Sequence, residues 1–358
     1  MTRPRAYLNA IGGAVPQHDV HQLFIAWAML QLDTVRERSL FQRMASQSGI
    51  EHRWSVLPGS DVQAPSPVSP GGFYAGDVEP GTRERMGVYE QEAPRLALRA
   101  IAALARRVEL GRVTHLVVAS CTGFVAPGVD QILAEALGLP SVERTLVGFM
   151  GCYAAVAALR TARHIVRSEP DARVLVVTVE LSSLHLQRDK DVEALLAMLQ
   201  FGDGAAAGLV TSEPAGFSLE RPFAVTLPDT ASLIRWTIGD TGFRMKLSGE
   251  VPGRIASALQ ELPVRAAVLG GSTPEDFDGW AVHAGGRSIL KAVERGLALD
   301  ASALHASHEV LARFGNMSSA TLMFVLERLL DDPSASKGVA LAFGPGLAAE
   351  GFEFQRCA

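Results

Sequence analysis

Cysteine is scarce in this chain. It has three residues of this type, Cys121, Cys152 and Cys357, and no two of them form a CxxC pair. An odd number of widely spaced cysteines argues against a disulfide framework and against a cysteine-rich zinc site. We therefore expect reduced thiols.

The sequence also lacks basic clusters and long apolar runs. Lysine and arginine number 33 against 38 acidic residues, which gives a formal net charge of −5. Without a basic patch, neither nucleic acid nor an anionic membrane surface is an expected partner. No apolar run reaches the roughly 18 residues of a membrane span, and no sustained apolar segment follows the N-terminus. We expect a cytoplasmic protein.

What the sequence does contain is typical of a well-packed α/β protein. Of 358 residues, 48% are hydrophobic, 20% are charged and 34 are glycine. Short β-branched runs at 115–119, 173–179 and 337–343 alternate with amphipathic stretches such as 129–137. This alternation predicts a mainly parallel sheet whose strands are covered on both faces.

Two breaks organise the chain. A Pro/Gly/Ser-rich stretch at 58–81 predicts a long loop, either a plain surface excursion or part of the mouth of a site. The turn-rich segment 211–216 separates two halves, which we place at 1–212 and 213–358.

Cys152 follows an apolar run that turns through Gly151 and precedes an Ala/Leu-rich helical run at 153–162. The spacing predicts a thiol at a helix N-terminus, where unpaired N–H groups and the helix dipole favour the thiolate. The segment alone also fits a small buried hydrophobic residue.

Two downstream residues could serve a thiolate as polar partners. His283 ends the strand-like run 279–282 and precedes two glycines, so its imidazole would face open space at a strand end. Asn316 lies after Gly315 and before the apolar run 322–326. Taken singly, the first could be a structural histidine and the second a helix N-cap.

Together these residues resemble the type III polyketide synthases, of which chalcone synthase is the familiar plant member. The resemblance covers nearly the whole chain and rests on seven ordered motifs: Cys121–Phe124 with Pro127–Gly128, Gly151–Cys152, Phe201–Ala207, Val251–Gly253, His283–Gly286, Gly315–Ala320 and Phe343–Leu347. It implies a thiolase-like five-layered αβαβα fold made of two similar halves, with the active site buried between them, and a homodimer.

The resemblance also implies the roles of the catalytic residues. Cys152 would take an acyl starter from coenzyme A and hold the growing chain as a thioester. His283 would help to keep Cys152 as thiolate, and with Asn316 it would stabilise the enolate formed when malonyl-CoA decarboxylates. The substrates would be coenzyme A thioesters, with no metal or redox cofactor. A resorcinol, pyrone, phloroglucinol or naphthalene-type product would result.

Further residues are expected to bind substrate. Phe201 would be an aromatic gate between the coenzyme A tunnel and the cavity, or else a core residue of a Gly-rich strand. Met245 takes the second gate position, where the family usually has phenylalanine. Cys121 would line the cavity or pack at a strand end. The remaining expected contacts, all taken from the resemblance, are His185, Trp236, Ser318, Gly344, Pro345 and Arg53.

These residues set some limits. His185 and Trp236 replace smaller cavity residues of chalcone synthase, so the plant-like pocket would be altered or partly filled. Ala126 replaces the methionine that reaches in from the partner subunit in plant enzymes. Arg53 is the expected contact to the coenzyme A phosphates, in a segment less basic than in plants.

Two other readings compete with this one. Ketoacyl-ACP synthase III shares the fold and a Cys/His/Asn set but would perform one condensation with a carrier-protein substrate. A non-catalytic protein of the same fold would only bind an acyl thioester or a partner. Retention of all three polar residues argues against the second alternative, and the weakly basic surface argues against the first.

Overall fold

The computed structural model describes residues 4–58, 67–76 and 78–357. Its strands are β1 (Tyr7–Ala14), β2 (His18–Asp19), β3 (Trp54–Ser55), β4 (His115–Ser120), β5 (Glu143–Gly148), β6 (Val174–Leu181), β7 (Asp203–Thr211), β8 (Phe217–Thr226), β9 (Ile234–Gly239), β10 (Gly242–Leu247), β11 (Gly279–Val282), β12 (Lys337–Gly344) and β13 (Ala348–Arg356). Its α-helices are α1 (His21–Gln31), α2 (Val35–Ser46), α3 (Thr82–Ala105), α4 (Val129–Ala136), α5 (Ala154–Ser168), α6 (Val192–Gln200), α7 (Val251–Gln260), α8 (Leu262–Leu269), α9 (Arg287–Leu297), α10 (His305–Phe314) and α11 (Ser319–Asp331).

Nine strands form one sheet in the order β11-β12-β13-β8-β1-β7-β6-β4-β5. The sheet has two parts, β11-β12-β13-β8 and β1-β7-β6-β4-β5. They are joined only where β1 pairs with β8, through Tyr7↔Ser218 and Leu8↔Phe217. β4 pairs in parallel with β5 and β6, and β11 with β12, whereas the other pairs are antiparallel. The prediction of a mainly parallel sheet was therefore wrong. A connection as short as Pro345–Leu347 between β12 and β13 allows only antiparallel pairing.

Helices α5 and α11 lie between the two parts of the sheet and contact strands of both parts. Nine residues of α5 are buried, most of them alanine, and the run from Ser319 to Leu326 in α11 is buried on every side. A helix that is apolar all round belongs in an interior layer. With α3 and α4 on one outer side and α7, α8 and α9 on the other, the architecture is the five-layered αβαβα thiolase fold.

The predicted strands at 115–119, 173–179 and 337–343 are confirmed as β4, β6 and β12, and the helix at 129–137 as α4. Burial on both faces holds for β4 and β6 but not for β5, where five of six residues are exposed. β5 is the edge strand of the sheet and, among the described residues, pairs on one side only, with β4. The part of the predicted loop at 59–66 and residue 77 lie outside the described residues; the rest of 58–81 has neither helix nor strand.

A separate two-stranded hairpin, β9–β10, lies beside α6 and the turn Ser182–His185. Its residues alternate between apolar and polar along each strand, so the two faces differ in character. One face carries Ile234, Trp236, Met245 and Leu247, and the other carries arginine, lysine and threonine. No α-helix of the described part has both the length and the apolar character that crossing a bilayer requires.

Candidate active site

Cys152 lies between the end of β5 and the start of α5, whose N-cap is Tyr153. The chain turns through Gly151, which has φ of +84°, a conformation that side chains with a Cβ rarely adopt. A Cβ on Gly151 would also lie 2.3 Å from Cδ of Pro345. The tight turn therefore depends on glycine, and it delivers the thiol to the N-terminus of α5 as the sequence predicted.

Three side chains from distant parts of the chain line one pocket of about 40 Å³: Cys152, His283 and Asn316. Gly344 also lines this pocket, and a Cβ on it would lie 3.4 Å from the Cys152 nitrogen. The pocket is small, and its lining includes Cys152, which follows β5 of one part of the sheet, and His283, which follows β11 of the other. The structure thus brings together the three polar groups that the sequence singled out.

His283 follows the last residue of β11, and its backbone N–H donates to the Leu341 carbonyl at 2.8 Å. The ring is 2% exposed, and neither Nδ1 nor Nε2 has a hydrogen-bond partner among the residues that the structure describes. Burial lowers the pKa of His283 to about 3. A neutral imidazole with one free donor and one free acceptor is available to a bound molecule.

Asn316 is held by backbone contacts on both sides of its peptide unit. Its N–H donates to the Gln200 carbonyl at 2.8 Å, and its carbonyl accepts from the Gly202 N–H at 3.0 Å. The side-chain oxygen accepts from the Ser318 N–H at 2.8 Å, while Nδ2 donates to the Gly285 carbonyl at 3.3 Å. The N-cap alternative does not hold, because α11 begins at Ser319 with Ser318 as its N-cap. The second N–H of the amide is directed at Cys152, with whose sulfur it forms a hydrogen bond.

The ionisation of Cys152 differs from the expectation for a bare helix N-terminus. Burial raises the pKa of the Cys152 thiol to about 12, and the nearby Glu180 carboxylate acts in the same direction. Hydrogen bonds with the Ser318 and Asn316 side chains favour the thiolate but are outweighed. Burial thus penalises a lone charge on Cys152 as it does on His283, and a paired thiolate and imidazolium would compensate each other.

Glu180 on β6 is a residue that sequence reasoning missed. It is fully buried and accepts hydrogen bonds from the Cys121 N–H at 3.0 Å, the Thr122 hydroxyl at 2.9 Å and the Ser319 hydroxyl. Burial raises the pKa of this carboxyl to about 7. A single acidic residue inside the apolar strand 174–181 is the signal that would have found it.

A larger cavity of about 570 Å³ adjoins the catalytic pocket. Phe201 and Met245 line both spaces, so these two side chains form the wall between them. Leu23 and Phe24 of α1 and Met198 of α6 supply part of its apolar lining. Phe201 therefore lies between the two spaces, and its role as a gate stays a prediction. Pro67, Val68 and Tyr74 of the predicted loop also line this cavity, which favours its role at the mouth of a site.

His185 and Trp236 form an aromatic wall of the larger cavity. The His185 ring donates from Nε2 to the Thr122 carbonyl at 2.7 Å, accepts at Nδ1 from the Phe243 N–H at 3.0 Å, and stacks on Phe243 with centroids 4.2 Å apart. Trp236 donates from Nε1 to the Cys121 carbonyl at 2.9 Å and meets His185 edge-on. Both imidazole nitrogens are occupied, so His185 shapes the cavity and takes no part in proton transfer.

Several expected substrate contacts have other positions. Cys121 lines neither cavity; its sulfur accepts from the Gly151 N–H at 2.9 Å, so of the two alternatives it is the packed residue. Pro345 packs against Gly151 instead of facing the pocket. Ser318 is buried beside Cys152 as a hydrogen-bond partner of its sulfur.

Arg53 is 3% exposed and turned toward the interior. Its Nη1 donates to the Phe201 carbonyl at 2.6 Å, its Nε donates to Nδ1 of His21 at 3.1 Å, and its guanidinium lies 4.6 Å from the Phe24 ring centroid. This placement corrects the expectation of a phosphate contact. Arg53 positions the backbone of Phe201, which in turn is bridged to Asn316.

Within residues 4–58, 67–76 and 78–357, no group of three or more His, Cys, Asp or Glu side chains could hold a metal ion. The arrangement supplies instead a thiol, a neutral imidazole and a carboxamide around one small pocket whose other lining is mostly apolar. These groups suit acyl transfer and the stabilisation of an oxyanion.

Comparison with known proteins agrees with this chemistry. The family model "Chalcone and stilbene synthases, N-terminal domain" matches residues 1–214, and the corresponding C-terminal domain matches residues 218–357. "Alpha-pyrone synthesis polyketide synthase-like Pks18" of Mycobacterium tuberculosis is 38% identical over 294 residues, which cover 77% of this chain and 74% of the relative. "Type III polyketide synthase A" of Arabidopsis thaliana is 30% identical over 371 residues, covering 97% and 92%.

Solved structures give the same result. The crystal structure of PKS-I from the brown alga Ectocarpus siliculosus superposes with a TM-score of 0.89 at 27% identity and covers 99% of both chains. The C-terminal type III polyketide synthase domain of Steely1 from Dictyostelium superposes with a TM-score of 0.87 at 25% identity, covering 99% of this chain and 100% of that domain.

Proposed function

Since this chain belongs to the chalcone and stilbene synthase family, it is a type III polyketide synthase, and we propose that Cys152, His283 and Asn316 carry its chemistry. Members of the family use malonyl-CoA and acyl-CoA substrates and need no further cofactor. The observation that carries the proposal is the single pocket lined by all three side chains.

The first step is acyl transfer to Cys152. Its sulfur attacks the carbonyl carbon of the acyl-CoA starter while the thiol proton passes to the imidazole of His283. The tetrahedral intermediate collapses, the bond to coenzyme A breaks, and the departing thiolate takes the proton back from His283. The neutral state of His283 in the buried pocket supports this role, because an imidazole that already carried a proton could not accept one.

The second step is decarboxylation of malonyl-CoA. Loss of CO₂ leaves an enolate whose oxygen needs hydrogen-bond donors; the free ring N–H of His283 supplies one, and the Asn316 N–H that faces Cys152 supplies the other once the sulfur is acylated. The enolate carbon then attacks the thioester carbonyl on Cys152, which releases the sulfur for another round. Loss of one such donor costs roughly 10²–10³ in rate.

The two cavities suggest how the substrate divides between them. The pantetheine arm of coenzyme A would occupy the 570 Å³ cavity, and the thioester would pass between Phe201 and Met245 into the catalytic pocket. Methionine is flexible, so this gate yields more readily than two aromatic rings would. The aromatic wall of Trp236 and His185 supports a product differing from chalcone.

The ketoacyl-ACP synthase III alternative is not favoured, because the family models and the relatives are polyketide synthases. The starter, the number of extensions and the mode of cyclisation stay open. The Mycobacterium relative's name refers to alpha-pyrone synthesis, and a pyrone is one of the products that we expect here.

We also propose a homodimer that forms along β5. This edge strand presents unpaired backbone groups and exposed side chains, and an edge of this kind is commonly covered by another chain. Leu146 is 49% exposed on it, and Phe124, in the neighbouring loop that contains Ala126, is 47% exposed. The division into halves at 1–212 and 213–358 and the cytoplasmic location remain predictions.

The test is incubation with labelled malonyl-CoA and a panel of acyl-CoA starters, with products read by mass spectrometry. We expect Cys152→Ala to abolish every polyketide product and Asn316→Ala to slow CO₂ release by about 10²–10³-fold. Cys357→Ala is the matched control, because this half-buried thiol near the C-terminus lines neither cavity. A Cys152→Ala protein that still elongates would overturn the assignment.

A further inference from the structure

The outer face of the β9–β10 hairpin carries three cations in a compact arrangement. Arg235 lies directly opposite Lys246 across the ladder, and Arg244 follows on the same face opposite Thr237. The apolar side chains between them, Trp236 and Met245, point to the other face because side chains alternate along a strand. One face of the hairpin therefore carries apolar and aromatic side chains, and the other is basic.

This arrangement is electrostatically unfavourable as it stands. Like charges directly opposite each other across a strand pair destabilise the pair. No ion pair involves Arg235, Arg244 or Lys246 within the part of the chain that the structure describes, and all three are exposed. Lys190, by contrast, forms an ion pair with Asp33. A bound anion would remove the repulsion.

The place of these cations at the border of the larger cavity indicates which anion they would bind. All three residues border the 570 Å³ cavity, and Arg244 and Lys246 flank Met245 of the gate directly in sequence. Among the described residues the one acidic side chain bordering the same cavity is Asp189. The rim of the cavity thus carries an excess of positive charge, and a ligand whose thioester lies beyond Met245 would place its polar end there.

Length arguments agree with this placement. Neighbouring Cα atoms are about 3.8 Å apart, so the Cα atoms of Arg244 and Lys246 each lie at that distance from the Cα of Met245. Their side chains are exposed and border the 570 Å³ cavity. A coenzyme A thioester whose reacting carbonyl lies at Cys152 carries an extended pantetheine arm that ends in phosphate groups, and arginine and lysine are side chains that bind phosphate.

We propose that Arg235, Arg244 and Lys246 bind the phosphate groups of the coenzyme A substrates at the mouth of the larger cavity. The inference rests on the proposed function. These three cations replace Arg53 as the expected phosphate contact, because Arg53 is only 3% exposed and donates from Nη1 to the Phe201 carbonyl. The hairpin then has two functions. Trp236 and Met245 on one face shape the cavity, and the three cations on the other face bind the phosphate end of the substrate.

The experiment compares two malonyl donors that share the reacting atoms. Malonyl-CoA carries phosphates, whereas the N-acetylcysteamine thioester of malonate does not. For the double variant Arg235→Ala/Lys246→Ala we expect KM for malonyl-CoA to rise about tenfold or more, with kcat unchanged, since charge-assisted hydrogen bonds to phosphate are lost. KM for the N-acetylcysteamine thioester should not change.

Arg112→Ala is the matched control. Arg112 is exposed and precedes β4, whereas the active-site cysteine follows strands at their opposite ends. It should leave both KM values at wild-type levels. In the wild type, KM for malonyl-CoA should rise with salt because exposed charges are screened, and this dependence should flatten in the double variant.

Three results would overturn the proposal. An unchanged KM for malonyl-CoA would show that the cations do not bind phosphate. Equal losses with both donors would show a structural role for the hairpin. A loss confined to a malonyl carrier protein, with malonyl-CoA unaffected, would assign the surface to an acidic protein partner. If the wild type makes no product from any malonyl thioester, the proposed function fails, and calorimetric binding of coenzyme A to the wild type and the double variant still tests this site alone.

Discussion

The reactivity of Cys152 should depend on His283 rather than on the helix N-terminus alone. With a neutral partner, burial raises the pKa of the thiol to about 12, against 9.0 for an ordinary thiol. Near neutral pH the buried thiol would then hold a thiolate fraction of roughly 10⁻⁵, and an ordinary one roughly 10⁻². Fast reaction at neutral pH therefore requires His283 to take the proton and remain beside the thiolate.

The perturbation is His283→Leu, which replaces the imidazole with an apolar side chain of similar size and removes the proton acceptor. We expect iodoacetamide to label Cys152 at pH 7 at least about 10³-fold more slowly than in the wild type. The labelling rate of the variant should then rise tenfold for each pH unit up to pH 10, because the thiolate fraction grows as pH approaches the raised pKa of Cys152.

The assay is a labelling time course with digestion and mass spectrometry, so that Cys121 and Cys357 are followed separately. His283→Gln restores a hydrogen-bond donor but not a base, and it should remain slow. If His283→Leu labels at the wild-type rate at pH 7, the helix N-terminus sustains the thiolate and the reasoning fails. Slow labelling of the wild type with the same pH dependence would also contradict the paired state.

Three further changes test the scaffold of the site. Gly151→Ala should lower stability by about 1–3 kcal/mol in urea unfolding and remove most activity, because a Cβ meets Pro345 and φ is positive. Trp236→Ala should remove one wall of the larger cavity and shift the products read by mass spectrometry toward longer chains; unchanged products would contradict a limiting wall. Arg53→Met should cost about 1–3 kcal/mol and lower kcat, because the buried Phe201 carbonyl loses a charged donor; wild-type kcat would refute the positioning role.

Much of the fold could be predicted from local patterns. The runs that became β4, β6 and β12 are continuously apolar and β-branched, and such runs form buried strands wherever they are placed. The same reasoning failed for β5, whose run is also apolar in part but lies at the edge of the sheet. Position in a sheet is a property of strand order, and strand order depends on contacts between distant segments.

The candidate site divides in the same way. Cys152, His283 and Asn316 each lie beside a glycine at the end of a strand or loop, and this local signal is visible in the sequence. The inward turn of Arg53 is not, because burial of a charged side chain is decided by its neighbours in space, and for Glu180 the sequence shows only an acidic residue in an apolar strand. Cys121 illustrates the same limit, since its sulfur is satisfied by Gly151, thirty residues away.

The sequence by itself determined the family, several of the strands and helices, and the three polar side chains that meet in one pocket, because these are written in short periodicities and motifs. Only the tertiary structure decided that Phe201 and Met245 separate two cavities, that Arg53 faces inward, and that Arg235 lies opposite Lys246. The physical reason is that ionisation, cavity shape and charge placement depend on which distant residues approach within a few ångströms, and a sequence pattern records only near neighbours along the chain.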